Sequence, residues 1–199
     1  MVDGDALIPT QADSRLVLWQ GDITRLRADA IVNAANSALL GCFHPCHGCI
    51  DNAIHSAAGL QLRDECAGIM RAQGHPEPAG RAKLTGGYNL PARHVLHTVG
   101  PIVGRWVTWK NRRELASCYR ACLEIAAERG LHSVAFCCIS TGEFHFPNRE
   151  AARIAVDTVK ECLRQKTSIR RVIFNVFKDL DAEIYRGLLG PDRGAETGP

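Results

Sequence analysis

Residues 133–177 read SVAFCCISTGEFHFPNREAARIAVDTVKECLRQKTSIRRVIFNVF. In this segment the apolar runs Ser133–Ile139 and Arg171–Phe177 predict two buried strands. Arg149–Arg164, which lies between them, has apolar residues at intervals of three and four, and this spacing predicts an amphipathic helix. Because neither strand alternates polar with apolar residues, we expect helices to cover both faces of the sheet.

The same alternation of strand and helix extends over the rest of the chain. Further strands are predicted at Leu16–Trp19, Ala30–Ala34 and Arg93–Val99, and further helices from Asp51 to about Gln73, at Glu114–Arg129 and at Ala182–Leu189. Gly59 interrupts the first of these helices, and residues 74–81 are rich in Gly and Pro. The pattern predicts an α/β fold, a three-layer α/β/α sandwich with a central mixed, largely parallel sheet.

The length of 199 residues fits one domain, since two independent cores would be cramped. We expect this domain to span residues 15–189, between a flexible N-terminal arm at 1–14 and a disordered tail at 190–199.

The net charge of +3 is too small to indicate nucleic acid. Basic residues do recur between Arg105 and Arg113, and this segment is interpreted as a solvated loop and helix start with two partly buried indoles, Trp106 and Trp109.

The nine cysteines are interpreted as free thiols. The N-terminus lacks the pattern of a signal peptide, and no run of about 18 apolar residues predicts a membrane span. We therefore expect a reducing, cytoplasmic compartment, in which a local group of Cys and His indicates metal before disulfide. Five cysteines lie in apolar runs and are expected to be small buried hydrophobes: Cys118, Cys122, Cys137, Cys138 and Cys162.

Cys42, His47 and Cys49 form a candidate metal group within eight residues. Thiolate and imidazole are natural ligands of Zn²⁺, and three ligands leave a fourth position open to water or substrate, as in catalytic zinc sites. His44 and Cys46 are spare donors in the same loop. With Cys46 as a fourth ligand the site would be closed and structural, and a loop without metal is the third alternative.

Polar residues follow the predicted strands at Asp22, at Asn33 and Asn36, and in the segment Ser140–Phe146. In α/β sheets, ligands bind beyond the carboxyl ends of the strands. We therefore expect these residues to converge on one crevice.

Five segments in order resemble the macrodomain family: QGDIT at 20–24, AIVNAANS at 30–37, DNAIHSAAG at 51–59, HTVGP at 97–101 and ISTG at 139–142. The resemblance extends from about Leu16 to Leu189 and implies an ADP-ribose crevice. Residues 41–52 also fit the form GCFxPxHxCIDN of a zinc-containing macrodomain subgroup, and EFHFP at 143–147 is similar to that subgroup. The subgroup pattern implies Zn²⁺ on the three-residue group above and leaves Cys46 outside it.

The resemblance also implies which residues contact ADP-ribose. Asp22 would accept from the adenine amino group, Ile23 would line the adenine pocket with its backbone, and Phe177 would pack on adenine, although a Phe there suits the core equally. The amides of Asn33 and Asn36 would meet ribose hydroxyls. Backbone N–H groups of one turn would bind the diphosphate, with the Glu143 side chain pointing away or toward the metal. That turn comprises Ser140, Thr141, Gly142, Glu143 and Phe144.

Asp51 is expected near the distal ribose, and two histidines are expected to have structural roles. Asp51 matches an acidic residue that hydrolytic macrodomains place there, and it also suits a helix N-cap. His55 shares a helix face with Asp51 and is expected to hold the loop through a hydrogen bond, whereas His97 is expected to be buried and satisfied. Asn33 and Asn36 join Asp51 as candidate catalytic residues, because fixing the ribose contributes to rate.

These features predict a zinc-dependent hydrolase that removes mono-ADP-ribose from protein side chains, with the Asp/Glu ester linkage favoured by the subgroup resemblance. The expected partners are ADP-ribose and mono-ADP-ribosylated proteins, and the expected state is a monomer without a membrane partner. The alternatives are a non-catalytic ADP-ribose reader, an O-acyl-ADP-ribose deacylase and an RNA-binding module, which the modest charge disfavours. The open zinc site distinguishes the hydrolase from a reader, which has no need of it.

Overall fold

The computed structural model of the chain describes residues 1–42, 44 and 47–190. The strands are β1 (Val2–Asp3), β2 (Leu16–Gln20), β3 (Leu26–Arg27), β4 (Ala30–Ala35), β5 (Ala82–Gly86), β6 (His94–Val99), β7 (Ser133–Phe136) and β8 (Arg171–Val176). The helices are α1 (Ile50–Ala58), α2 (Leu60–Gln73), α3 (Trp109–Glu128), α4 (Asn148–Leu163) and α5 (Asp179–Leu189). The predictions for Cys46 and for residues 191–199 of the tail lie outside the described residues.

Six strands form one sheet in the order β2-β8-β7-β4-β6-β5. All neighbours are parallel except β5, which is antiparallel to β6. The prediction of a mixed, largely parallel sheet is therefore confirmed. The register of β4 and β6 sets Asn33 beside His97, so that two polar side chains are neighbours inside a buried sheet.

Both faces of this sheet are covered. Ala30, Ile31, Val32 and Asn33 are consecutive in β4, and none of them has exposed surface. Since successive side chains of a strand point to opposite faces, helices must pack on both sides. The three-layer sandwich is thus confirmed. Among the described residues, no helix combines the length and the apolar character that crossing a membrane requires.

Several elements differ from the prediction; β7 ends three residues before the predicted end at Ile139, and α5 begins three residues before the predicted start at Ala182. The long first helix is in fact two helices, α1 and α2, which meet at Gly59 with φ +90°. Helix α3 begins at Trp109, five residues before the predicted start, because Thr108 and Asn111 form a capping box. The edge strand β5 is not predicted, since its sequence AKLTG lacks a run of apolar residues.

The N-terminal arm contacts the sheet region at several points. Strand β1 pairs with β3 in parallel. Arg171 Nη1 donates to the carbonyl oxygens of Leu7, at 2.6 Å, and Gly4, at 3.0 Å. The N–H of Thr10, a buried residue, donates to Leu16 O at 2.8 Å. The sequence predicts none of these contacts, and the flexibility of the arm stays a prediction.

Burial of the predicted core cysteines is confirmed for three of the five. Cys118, Cys122 and Cys137 are buried, and Cys138 and Cys162 are half-buried. Burial raises the pKa of each of these thiols, which keeps them protonated.

The prediction of two partly buried indoles is wrong. The side chains of Trp106 and Trp109 are 73% and 65% exposed. The capping box that starts α3 early places Trp109 in its first, solvent-facing turn.

Candidate active site

The predicted site residues meet at one edge of the sheet. Asp22 follows β2, Phe177 follows β8, Ser140 comes after β7, and Asn36 follows β4. These four parallel strands are consecutive in the sheet, so their carboxyl ends lie side by side. The sequence therefore correctly predicts that these residues meet at one edge of the sheet, and the crevice that they would line stays a prediction.

The candidate adenine end lies beyond β2 and β8. Asp22 caps a single helical turn, since its Oδ1 accepts from Thr24 N at 3.0 Å and from Thr24 Oγ1 at 2.7 Å. Ile23 is buried beneath this turn, and the N–H of Gly21 donates to Val176 O at 2.9 Å. Phe177 is 75% exposed, which excludes its interpretation as a core residue. An exposed Phe beside this turn is compatible with stacking on adenine.

The candidate diphosphate loop follows β7. Ser140 is buried with φ +65°, and the loop closes through hydrogen bonds from Phe146 N to Ser140 O and from His145 N to Gly142 O. Within the described part of the chain, the N–H groups of Gly142, Glu143 and Phe144 have no acceptor. Three free N–H groups in one turn form a binding concavity for an anion.

Gly100 allows the close approach of this loop to the end of β6. A Cβ atom added to Gly100 would lie 2.0 Å from Ser140 Oγ, which no real contact permits. The HTVGP motif therefore favours glycine at this position because the side chains of Ile139 and Ser140 lie against it.

Asp51 is a buried carboxylate held by two amides. Asn33 Nδ2 donates to Asp51 Oδ1 at 2.7 Å, and Asn36 Nδ2 donates to Asp51 Oδ2 at 3.2 Å. Burial raises the pKa of this carboxyl, and the hydrogen bond from Asn33 opposes that rise. The predicted N-cap role is wrong: Asp51 is the second residue of α1, and Cys49 is the N-cap, with its Sγ accepting from Asn52 N at 3.4 Å.

The two asparagines use their amide hydrogens within the protein. Asn33 Nδ2 also contacts His97 Nδ1 at 3.2 Å, and Asn36 Nδ2 also donates to Gly41 O at 3.1 Å. Asn33 Oδ1 is buried and has no partner among the described residues. The sequence predicted that these amides face ribose hydroxyls. In the structure, the amide N–H groups of both asparagines donate to Asp51 instead. Asn33 and Asn36 can therefore act by positioning that carboxylate. Direct contact of either amide with ribose stays a prediction.

His97 is buried and satisfied, as predicted. Because Asn33 Nδ2 is only a donor, His97 Nδ1 accepts, and Nε2 carries the proton and donates to Thr85 Oγ1 at 2.9 Å. Burial lowers the pKa of His97 to about 3, so the ring is neutral. Cys66 Sγ lies 3.7 Å from the same Nε2. Sequence reasoning missed Thr85 and Cys66, although Cys66 continues the apolar face of the helix that begins near Asp51.

His55 does not form the predicted hydrogen bond. Neither ring nitrogen has a hydrogen-bond partner among the described residues, and Nε2 lies 3.6 Å from Asp51 Oδ1. Burial lowers its pKa, and the charge of Asp51 opposes this. His55 instead supports the loop by close packing, since a Cβ on Gly41, whose φ is +86°, would lie 3.0 Å from the imidazole.

The metal loop, residues 41–49, brings the three predicted ligands together. Cys42 Sγ lies 3.2 Å from His47 Nδ1, and the ligand atoms of these two residues and Cys49 all lie within 4.8 Å of one another. A backbone hydrogen bond from His44 lowers the pKa of the Cys42 thiol, whereas burial raises that of Cys49. Two sulfurs and one imidazole nitrogen at these separations fit a common zinc ion.

Glu143 supports this donor set from the diphosphate loop. Its Oε1 lies 3.2 Å from His47 Nε2, the ring nitrogen that faces away from the two cysteines. Of the two orientations that the sequence leaves open for Glu143, away from the diphosphate or toward the metal group, the structure shows the second. A carboxylate on the outer nitrogen of a histidine ligand orients the ring and fixes its tautomer.

His55, Cys66 and His97 form a second group with ligand atoms within 4.8 Å of one another. Both ring nitrogens of His97 already have hydrogen-bond partners. The hydrogen-bond network beneath Asp51 therefore accounts for this group without a metal.

Sequence relatives agree with this architecture. A family model described as Macro domain matches residues 32–155. A protein of Treponema medium named Protein-ADP-ribose hydrolase is 54% identical over 172 residues, which are 86% of this chain and 66% of that protein. A Staphylococcus aureus protein of the same name is 52% identical over 187 residues, 94% of this chain and 70% of that protein. The chain thus spans about two thirds of the length of these relatives.

Solved structures share the fold. The macrodomain of Trypanosoma brucei in complex with ADP-ribose has a TM-score of 0.81 and 37% identity, over 95% of this chain and 77% of that one. The macrodomain of Oceanobacillus iheyensis with ADP has a TM-score of 0.77 and 37% identity, over 86% of this chain and 88% of that one. With a family model over more than half of its length, relatives above 50% identity and the sheet order described above, this chain belongs to the Macro domain family.

Proposed function

We propose that the chain hydrolyses the bond between mono-ADP-ribose and a modified side chain of a protein, with zinc held by Cys42, His47 and Cys49. The observation that carries this proposal is the position of Asp51, a buried carboxylate two residues after Cys49. A base and a metal group at the same end of the crevice suit bond cleavage. A module that only binds ADP-ribose has no use for them.

The chemical role of Asp51 is that of a proton acceptor. In the proposed reaction a water oxygen forms a bond to C1″ of the distal ribose, the C1″–O bond to the protein breaks, and the side-chain carboxylate leaves. Asp51 takes the proton that the water loses. Burial raises the pKa of Asp51, which makes it a better base than an exposed Asp. Asn33 and Asn36 act as positioning residues, because each holds one of its oxygens.

When bound, Zn²⁺ supplies a Lewis acid that lowers the pKa of a water ligand toward about 7 or polarises a substrate oxygen. The thiolates of Cys42 and Cys49 and Nδ1 of His47 would hold it, and Glu143 would keep the imidazole oriented. A reducing, cytoplasmic environment, which the sequence predicts, would keep both cysteines available as ligands.

The remaining crevice suits the ADP-ribose part of the substrate. The free N–H groups of Gly142, Glu143 and Phe144 would bind the diphosphate, together with Ser140 and Thr141 of the same turn. At the other end, adenine would contact Asp22, Ile23 and Phe177. Two relatives above 50% identity are named Protein-ADP-ribose hydrolase, which supports the reaction class. The preference for an Asp/Glu ester rests on the subgroup resemblance.

The deciding experiment offers the protein mono-ADP-ribosylated substrates with Asp/Glu, Arg or Ser linkages. Release of ADP-ribose is followed with and without a chelator. We expect release from the Asp/Glu-linked substrate, loss of most of it with chelator, and recovery on adding Zn²⁺. Bound metal is counted in parallel by elemental analysis.

Three outcomes would redirect the proposal. Tight ADP-ribose binding without release from any linkage would identify a reader. Release from O-acyl-ADP-ribose alone would identify a deacylase. Chelator-insensitive release would limit the metal to a structural role in the loop.

A further inference from the structure

A solvent-facing surface beside the crevice carries three large apolar side chains. Trp106 and Trp109 are 73% and 65% exposed, and Ile102 is 66% exposed. Burying such side chains stabilises a fold, and the chain forgoes most of that stabilisation here. Grouped exposed apolar side chains mark interaction sites, whereas scattered ones are ordinary. These three residues, with Arg105 and Arg113, are called the aromatic rim below.

Each indole of the aromatic rim carries an arginine. The guanidinium carbon of Arg105 lies 5.4 Å from the centroid of the Trp106 ring, and that of Arg113 lies 4.7 Å from the Trp109 ring. Neither arginine pairs with a carboxylate within residues 1–42, 44 and 47–190. A guanidinium stacked on an indole keeps its edge N–H groups free, so both arginines offer donors to a partner.

The neighbouring cations are already neutralised. Lys110 pairs with Glu114, and Arg112 pairs with Glu150 at the start of α4. The aromatic rim therefore presents two unpaired positive charges, Arg105 and Arg113, on an exposed apolar surface. A long positive track along the surface is absent from this segment.

The aromatic rim adjoins the catalytic end of the crevice. The N–H of Val103 donates to Phe144 O in the diphosphate loop at 2.9 Å. The residue before Phe144 is Glu143, which contacts His47 of the metal loop. The loop that carries Trp106 is fixed by a hydrogen bond from Asn111 Nδ2 to Ile102 O at 3.4 Å. The surface thus borders the site where, in the proposed reaction, the modified protein chain leaves the distal ribose.

We propose that the aromatic rim docks an acidic segment of the modified protein next to its ADP-ribosylated residue. This inference rests on the proposed function. Carboxylates match the free edges of Arg105 and Arg113, and the indoles offer flat apolar surface to the backbone and side-chain stems of the same segment. Single-stranded nucleic acid also stacks on indoles, but two free cations are too few to follow its phosphates. Charge complementarity therefore favours an acidic peptide.

The test uses two glutamate-linked mono-ADP-ribosylated peptides that differ only in their flanks, Asp and Glu in one and Asn and Gln in the other. Wild-type protein should release ADP-ribose from the acidic peptide with a KM roughly three- to tenfold lower, an advantage that fades at high salt. Trp106→Ala combined with Arg105→Ala should remove this preference, raising the KM for the acidic peptide much more than that for the neutral peptide and leaving kcat for both peptides unchanged. Ile8→Ala, which truncates an exposed side chain of the N-terminal arm, is the matched control.

Binding of both peptides to the Asp51→Asn protein, measured by fluorescence anisotropy, separates docking from hydrolysis. Absence of release by wild-type protein would refute the proposed function, while a rim-dependent preference in anisotropy would still support docking. Equal affinity for the two peptides would overturn the docking proposal. So would an equal loss for both peptides in the rim variant, or tighter, Trp106-dependent binding of a single-stranded oligouridine.

Discussion

Asp51 and the metal loop are neighbours in sequence, but the protein holds them in different ways. The carboxylate is buried at the end of β4, and each of its oxygens accepts from an amide. Cys42, His47 and Cys49 are only half-buried. The backbone around His47 is tied mainly by Asn52, whose Nδ2 donates to His47 O at 2.9 Å. Hydrogen bonds from Asn33 and Asn36 therefore fix the carboxylate of Asp51, whereas the three ligand atoms need an ion between them to be equally fixed.

This difference predicts that the two halves of the site can be disabled separately. Loss of the metal should leave Asp51 and its amides in place, because none of their hydrogen bonds involves a metal ligand. Loss of the carboxylate should leave the metal bound. If loss of the metal also displaced Asp51, or loss of the carboxylate also released the metal, the two parts of the site would not be held independently.

Replacement of Asp51 should have the largest effect. Asp51→Asn removes the proton acceptor, and kcat should fall about 10²- to 10⁴-fold, the usual contribution of a general base. Zinc content should stay at its wild-type level and the affinity for ADP-ribose should change little. Initial rates and elemental analysis of the same preparation measure both quantities.

Asp64→Asn is the matched control, because Asp64 is exposed on α2 and makes no contact with the site. Its kcat should equal that of the wild type. If Asp51→Asn kept more than a tenth of the wild-type kcat, Asp51 would be reduced to a structural residue.

Removal of a metal ligand should have the next largest effect. Cys49→Ser should abolish stoichiometric zinc binding and lower kcat about 10- to 100-fold, while ADP-ribose binding by the diphosphate loop persists. The affinity is measured by calorimetry and the metal by elemental analysis. Cys162→Ser, which alters a half-buried thiol on α4, should keep both zinc and activity.

Cys46→Ser distinguishes the two coordination schemes that the sequence leaves open. A three-ligand site predicts full zinc content in this variant. Loss of zinc would make Cys46 a fourth ligand and the site structural.

The sequence predicted the fold and the residues that meet at the strand ends, but not Thr85 and Cys66, which contact His97. Long apolar runs and helical spacing located five of the six strands of the main sheet, and the strand-end rule brought Asp22, Asn36 and Ser140 to one edge of the sheet. Sequence reasoning left two orientations for Glu143, away from the diphosphate or toward the metal group, because an anion beside a diphosphate site has to face elsewhere, and the contact with His47 shows the second. A local sequence pattern can predict these features because burial and strand direction determine on which face or end of the sheet a residue lies.

The hydrogen-bond directions could not be predicted from the sequence. Asn33 and His97 become partners through the register of β4 and β6, which are separated by two helices and an edge strand. Cys49 replaces Asp51 as the N-cap because α1 begins at Ile50, two residues earlier than an N-cap at Asp51 would allow. Trp109 is exposed because a capping box extends α3. Each of these outcomes depends on a contact between residues that are distant in sequence, or on which of several nearby residues caps a helix.

A substitution at Gly100 should show that the diphosphate loop resembles Asp51 in being fixed by contacts within the protein. Gly100→Ala places a Cβ 2.0 Å from Ser140 Oγ and 2.9 Å from Ile139 Cγ2, so the side chains at the start of the loop must shift. The free energy of unfolding should fall by about 1–3 kcal/mol, and ADP-ribose affinity should fall roughly tenfold. Gly104→Ala, where a Cβ meets nothing within 4 Å, should change neither. Equal behaviour of the two variants would mean that the loop adapts freely.

The smallest expected effect concerns the histidine beneath Asp51. His97 is neutral in the folded protein because burial lowers its pKa to about 3, whereas its ordinary value is 6.5. Between these values the unfolded chain binds a proton that the folded chain does not. Stability on this account is complete above pH 6.5 and is lost as the pH falls below it, by at most about 1.4 kcal/mol per pH unit.

His97→Gln keeps an acceptor for Asn33 and a donor for Thr85 but does not titrate. The variant should lose about 1–2 kcal/mol at pH 7 from less favourable geometry, yet its free energy of unfolding should fall less steeply between pH 6 and pH 4.5. Urea titrations at each pH measure both slopes. His55 and Asp51 titrate in both proteins, so their contributions largely cancel in the difference, and exposed His75→Gln is the control. Equal dependence of the free energy of unfolding on pH in wild type and His97→Gln would show that His97 is protonated in the folded state. The amide of Asn33 would then have to turn its oxygen toward the His97 ring, and its N–H group could no longer hold Asp51 in the same way.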